Sequence, residues 1–330
     1  MATHVTILPS DALLPPTQGE SSGATAAQGP RFLRLPHPRT GLASLFLPYE
    51  PRETNPPLAK RDAILEVQAV APSNSRSWFI DQEVLADGKL LVMTPIDPAF
   101  LLIPILQSVY PENGALGMFR PADEIFDDAA TNLEESSTSA AGKDVSLIVS
   151  KEDVLRFTSL ECCQSALNRI CDMKEITPEI TVYRFSPTKV VEYLRVKVSR
   201  LSSPEMVETS RTLVRGLAKD GLMEDGKEHL LEVGRIRAAC DLVAQYTPPG
   251  IRSLLTVSYD FTPLDAYFKT IEDETATMAV EKKPVKSKPG TIAADKKRKP
   301  NTSQGVEKLK KAKTEGMAKL STFFTKKVPA

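Results

Sequence analysis

From the N-terminus to about residue 96, short apolar runs alternate with clusters of Pro, Asn and Gly, the pattern of a small β-sheet. Runs at 5–8, 32–35, 42–48, 63–70, 77–85 and 89–93 are each compatible with a strand. Asp87-Gly88, between the last two runs, has the composition of a type I′ hairpin turn, whose two central residues take positive φ. Residues 9–30, rich in Pro, Gly, Ala and Ser, read as a loop inserted after the first strand. Five or six short strands leave sheet edges whose N–H and C=O groups need covering.

The period changes at Asp97-Pro98. A carboxylate stands at the capping position and proline at the first helical position, where its missing N–H costs nothing. The same device recurs at Ser186-Pro187 and Ser203-Pro204, so the second body is predicted to be mostly helical. Val190, Val191, Leu194 and Val198 follow helical spacing. So do Leu230, Leu231, Val233, Ile236, Cys240, Leu242 and Val243, up to Pro248-Pro249-Gly250. Residues 127–144 read as a polar loop, and no internal repeat is visible. The organisation predicted is a β domain over 1–96, a mostly helical domain over 97–268 and a tail over 269–330.

That tail has no aromatic residue between Phe268 and Phe323. Its Lys, Pro and Ala content cannot bury enough apolar surface to offset ordering entropy, which predicts disorder over 281–330. Within it, Leu320, Phe323 and Phe324 stand at i, i+3 and i+4, so one helical turn would gather them on one face as a docking peptide. Leu264, Tyr267 and Phe268 repeat the spacing, but they adjoin the helical body and are expected to pack on it.

Charge separates body from tail. Of 42 basic and 42 acidic residues, 15 and 4 fall in 281–330, which leaves 27 and 38 for residues 1–280. A neutral total therefore joins an acidic body to a basic tail, and the tail is the expected place for contact with polyanions. Its densest cluster, Lys296, Lys297, Arg298 and Lys299, has the form of a nuclear import signal. No apolar stretch is long enough to span a membrane, and residues 1–5 lack the basic-then-apolar order of a secretory leader.

Candidate catalytic groups are sparse. His4, His37 and His229 do not stand at metal-ligand spacing, and each is expected to be exposed or hydrogen-bonded. Cys162, Cys163, Cys171 and Cys240 include no Cys-x-x-Cys pair and read as free buried thiols. Asp123, Glu124, Asp127 and Asp128 have the ligand type for Mg²⁺ but read better as a solvated helix end. No cofactor is expected in this chain.

Ser77-Trp78-Phe79-Ile80-Asp81-Gln82, then Gly88-Lys89-Leu90-Leu91, then Thr94-Pro95-Ile96-Asp97-Pro98-Ala99-Phe100-Leu101-Leu102 together resemble the B subunit of eukaryotic type 2 ribonuclease H. Weaker likeness continues through Phe119-Arg120-Pro121-Ala122-Asp123, Tyr183-Arg184-Phe185-Ser186, Leu242-Val243-Ala244-Gln245-Tyr246-Thr247-Pro248 and Phe323-Phe324. The loops over 9–30 and 127–144 look longer than in animal members, which points to a fungal-type or otherwise divergent one.

The resemblance implies an α+β architecture: a small N-terminal β-barrel completed by a partner subunit, a mostly helical, winged-helix-like domain, and a disordered basic tail. It implies a catalytic A subunit that holds Mg²⁺ and cleaves RNA:DNA hybrids, including single ribonucleotides embedded in DNA, and a C subunit that shares the barrel. Trp78, Phe79, Ile80, Leu90, Leu91 and Val92 then either pack on the helix expected over 98–110 or enter the partner interface. It also implies that the tail docks the sliding clamp (PCNA) through Met317, Leu320, Phe323 and Phe324, with Met317 where the family's peptide carries Gln. Burying one Leu and two Phe side chains is worth roughly 5 to 9 kcal/mol. Ordering the peptide opposes that by about 2 to 5 kcal/mol, which leaves micromolar or weaker binding. Residues 269–316, about 48 residues, would span roughly 35 to 40 Å as a random coil.

The expected role is therefore a non-catalytic, nuclear scaffold and recruitment subunit that meets RNA:DNA hybrid or DNA weakly or indirectly. The alternative is a nuclear DNA- or RNA-binding factor using Arg195, Lys197, Arg200, Arg211 and Arg215 of the helical domain on phosphate. An independent enzyme is the least expected reading.

Overall fold

The computed structural model of the chain describes residues 4–10, 12–13, 31–51, 62–74, 76–111, 117–142 and 144–281. The β region opens with β1 (Val5–Ile7), β2 (Ala12–Leu13), β3 (Leu33–Pro36), β4 (Ala43–Pro51) and β5 (Ala63–Val70). It continues with β6 (Trp78–Ile80), β7 (Glu83–Leu85) and β8 (Leu90–Ile96). Strands β1, β8, β5, β4 and β2 lie side by side in that order, with β3 also paired to β4. All the pairings are antiparallel except β1 with β8. The two-residue β2 is the described part of the expected insertion over 9–30 that joins the sheet; most of that segment lies outside the described residues.

The expected hairpin across Asp87-Gly88 does not form. β7 pairs with β6, through Trp78 opposite Leu85 and Ile80 opposite Glu83, and β8 pairs with β5 and β1 instead. The tight turn falls at Asp81, which takes φ 52°, a left-handed conformation that Asp tolerates. The run over 77–85 concealed it, because a single polar Asp-Gln step sits between two apolar triplets. Gly88 is needed for close approach: a Cβ there would lie 2.2 Å from the Arg76 carbonyl oxygen.

The helical body starts with α1 (Pro98–Gln107), capped by Asp97, whose carboxylate accepts from the Ala99 N–H at 2.9 Å. Ala99, Leu101, Leu102, Ile103, Ile105 and Leu106 are all buried, so α1 is apolar all round and runs through the core. After β9 (Arg120–Pro121) comes α2 (Ala122–Ala141). The polar loop expected over 127–144 is thus mostly helix. Ile125, Phe126, Ala129 and Ala130 make a narrow buried stripe, and the polar run that suggested a loop is its solvated back.

Helices α3 (Lys151–Thr158) and α4 (Glu161–Ile170) are joined by Ser159 and Leu160 and lead directly into a hairpin of β10 (Cys171–Thr177) and β11 (Ile180–Phe185). β9 pairs with β11, which makes a three-stranded wing beside a helix-turn-helix. The rest is helical: α5 (Pro187–Leu201), α6 (Pro204–Thr209), α7 (Arg211–Lys219), α8 (Glu228–Ala244), α9 (Pro249–Val257) and α10 (Thr262–Glu281). Ser186 and Ser203 cap α5 and α6 as the sequence predicts, accepting from Lys189 N and Met206 N at 3.4 Å each. α10 corrects the expectation of a tail beginning at 269, since the helix continues to Glu281. Its first turns are held by Leu264, which is buried, and by Tyr267 and Phe268 packed against Val207, Leu217 and Leu222.

Sheet and helices share one core. Leu33, Leu35, Phe46 and Ile64 of the sheet sit in the same buried cluster as α1, α4, α5, α8 and α9. On the opposite sheet face, Leu47, Tyr49, Leu65 and Met93 make a second, smaller cluster under Leu8 and Ala12. Residues 1–273 form one compact unit.

Candidate interaction surfaces

Burial along the sheet is one-ended. In β5, Ile64, Leu65 and Glu66 are buried while Gln68, Ala69 and Val70 are exposed, and these three pair with Val92, Leu91 and Leu90 of β8. At that far end stands the β6–β7 hairpin, with Phe79 81% exposed, Val84 60% and Ile80 44%. Trp78 is half-buried and its Nε1 donates to the Lys89 carbonyl at 3.1 Å, which fixes the hairpin to the start of β8. Leu90, Leu91 and Val92 are half-buried and pair with the edge strand β1, whose Ile7 is itself exposed, as is Val70. None of the six residues singled out from sequence enters a buried cluster, and α1 packs against β3 rather than over them. Val84, Ile7 and Val70 join them, unforeseen because strand partners across the fold place them there. Exposed large apolar side chains gathered at one end of a sheet mark a candidate interaction site.

The junction between sheet and helices is polar and tightly tied. Asp97 accepts from the Tyr193 hydroxyl at 2.5 Å and pairs with Lys197, both on α5. Burial alone would raise the Asp97 pKa, but the hydrogen bonds from Lys197 and Tyr193, the Lys197 charge and the Ala99 N–H outweigh it and hold the carboxyl below its usual value. Burial likewise opposes the charge on Lys197, and Asp97 overcomes it, raising the lysine. Buried Glu66 accepts from the Tyr246 hydroxyl at 3.0 Å, with His37 Nε2 3.6 Å away. Buried Asp153 accepts from Arg31 and from the Arg34 backbone N–H, each at 3.0 Å, joining α3 to β3.

These ties absorb much of the candidate chemistry. Of the cations in the nucleic-acid reading, Lys197 is neutralised by Asp97 and Arg195 lies over the Tyr259 ring at 5.3 Å; Arg200, Arg211 and Arg215 are exposed. The outer face of α4 offers Glu161, Gln164, Asn168 and Arg169, a set with no net charge, and the wing exposes Met173, Ile176 and Ile180. His4 and His229 are exposed, and His37 stacks near Tyr246. The acidic group on α2 is charge-matched: Arg120 reaches Asp128 at 2.6 Å and Glu124 at 3.5 Å, and Lys151 reaches Asp127 at 2.8 Å. Among the described residues no group of His, Cys, Asp or Glu is arranged to hold a metal ion. The four cysteines are free. Burial pushes the Cys162 thiol up to about 11 and Cys171 up to about 12, and raises Cys163 and Cys240 as well. Met317, Leu320, Phe323 and Phe324, and Lys296, Lys297, Arg298 and Lys299, lie outside the described residues.

Comparison with known proteins follows the same division of the chain. Residues 7–97 match the family model described as the Ydr279p protein triple barrel domain. Residues 100–256 match the model described as the Ydr279p protein family (RNase H2 complex component) wHTH domain. The chain is 29% identical over 311 residues to the B subunit of ribonuclease H2 from Schizosaccharomyces pombe, covering 90% of this chain and 95% of that one. It is 26% identical over 264 residues to the Xenopus laevis protein of the same name, covering 77% and 76%. Against the Mus musculus protein of that name it is 30% identical over 124 residues, covering 38% and 32%.

Proposed function

The chain belongs to the Ydr279p family of ribonuclease H2 complex components, and from that premise we propose that it is the non-catalytic scaffold and recruitment subunit of a heterotrimeric type 2 ribonuclease H. In this reading the A partner carries Mg²⁺ and the cleavage of RNA:DNA hybrids and of ribonucleotides embedded in DNA, while a C partner completes the barrel. The observation that carries the reading is the uncovered end of the sheet, where Phe79, Ile80 and Val84 face solvent. Burying each such side chain is worth about 1.5 to 3 kcal/mol, so covering the hairpin supplies a substantial share of a stable interface.

The tail takes the recruiting role. Met317, Leu320, Phe323 and Phe324 dock the sliding clamp, PCNA, and Lys296, Lys297, Arg298 and Lys299 direct import to the nucleus. Because α10 runs to Glu281, the tether to that peptide starts beyond 281 rather than at 269. Contact with hybrid or DNA is weak or indirect in this reading, which the lack of net charge on the exposed face of α4 supports.

Co-expression with the A and C partners tests the scaffold. A tag on this chain recovers both partners, and the Phe79→Glu/Val84→Glu variant recovers neither; a chain that is monodisperse alone and ignores both partners refutes the proposal. For the tail, Phe323→Ala/Phe324→Ala abolishes clamp binding in calorimetry while hybrid cleavage by the trimer is unchanged. Unaltered clamp affinity in that variant would remove the docking role.

A further inference from the structure

We propose that the helical body carries a docking groove for an acidic, amphipathic peptide segment of a partner protein, where α5, α6 and α8 meet. Two adjoining clefts build it. One, of about 860 Å³, is lined by Phe100, Leu201, Met206, Leu242 and Tyr246, and Met206 and Leu242 remain 47% and 37% exposed. The other, of about 660 Å³, gathers Arg195, Arg200 and Arg235 with Glu232 and Tyr259. Arg200 and Ser203 line both, so an apolar trough continues into an arginine cluster.

The fold uses these arginines only in part: Arg195 overlies the Tyr259 ring and hydrogen-bonds its hydroxyl, and the charge of Arg235 lies near enough to Glu205 to help lower its carboxyl. Among the described residues none of the three forms an ion pair, although Glu232 shares their cleft. Arg235 Nε is buried without a hydrogen-bond partner. A guanidinium presents its donors in a fixed fork that fits a carboxylate. Lys197 also borders the trough, but Asp97 neutralises it.

The two clefts together select the occupant. A nucleic-acid backbone would use the arginines and leave the apolar trough empty. The chain's own tail has the wrong sign, with 15 basic against 4 acidic residues over 281–330. A peptide with carboxylates beside Leu, Ile or Phe side chains fills the trough and meets the arginines at once. The site lies on the helical body, so it stands or falls independently of the β6–β7 hairpin.

Selection of a random 12-residue peptide display library on the full-length protein tests it. Peptides that combine Asp or Glu with bulky apolar residues should be enriched, and the best of them, made synthetically and labelled, should lose about tenfold or more in affinity on Arg200→Glu and again on Arg235→Glu. Met206→Glu should weaken it too, while Arg211→Glu and Phe79→Glu leave it unchanged, with circular dichroism checking that each variant is folded. No enrichment, enrichment of basic peptides, or unchanged binding by folded Arg200→Glu overturns the proposal. So does displacement of the peptide by a 20-base-pair DNA duplex, or a gain in affinity on deleting residues 282–330.

Discussion

Asp97 is the residue on which two parts of the fold turn, because it caps α1 and receives Tyr193 and Lys197 from α5. Breaking such a half-buried pair leaves a poorly compensated charge, so Asp97→Asn should cost about 1 to 3 kcal/mol in urea unfolding, through the loss around Lys197. The pH dependence follows from the directions of the shifts. The lowered Asp97 carboxyl contributes stability that is present above the unfolded-state value and is lost as pH falls through its folded one. The raised Lys197 contributes stability present below its unfolded value and lost as pH rises past its folded one. Asp97→Asn should therefore flatten the stability profile at both ends, which titration of the unfolding midpoint would show. Thiol reactivity belongs to the same scale. With burial raising all four cysteines, a thiol reagent at pH 8 should react slowly with the native protein and readily with four groups after denaturation. Asp97 was legible from sequence as a cap, whereas its partners were not, since Tyr193 lies 96 positions away and nothing local marks the pairing.

At the scale of elements, the legible parts were those with local start signals. Asp97-Pro98, Ser186-Pro187 and Ser203-Pro204 each open a helix, and the run over 63–70 is strand β5. Elements without such signals, α3, α4, α7, α9 and the wing among them, were not legible, and two were misread. The β6–β7 hairpin hid inside one apolar run because its turn is only Asp81 and Gln82. Helix α2 hid behind its polar composition, with a stripe of Ile125, Phe126, Ala129 and Ala130 too narrow to stand out. Because α2 is helical, amides from 127 to about 137 should exchange hydrogen far more slowly than those of a loop, which mass-detected exchange would show. Gly88→Ala should displace the hairpin, because the added Cβ meets the Arg76 carbonyl, at a cost of about 1 to 3 kcal/mol read from thermal unfolding.

For the whole molecule, the shared core is what the sequence conceals most thoroughly. Leu33, Phe46 and Ile64 read from sequence only as strand residues of a separate β domain, yet they pack with α1, α4, α5, α8 and α9, which leaves the far end of the sheet as its open side. That end and its hairpin are where the partners of a ribonuclease H2 complex are proposed to sit. The most direct test is cleavage of an RNA:DNA hybrid with Mg²⁺ as this chain is titrated into a fixed mixture of the A and C partners. Cleavage should rise to saturation at one equivalent, stay at background for this chain alone, and fail to rise with Phe79→Glu/Val84→Glu. Cleavage by the chain alone, or a full rise with the hairpin variant, would contradict the account.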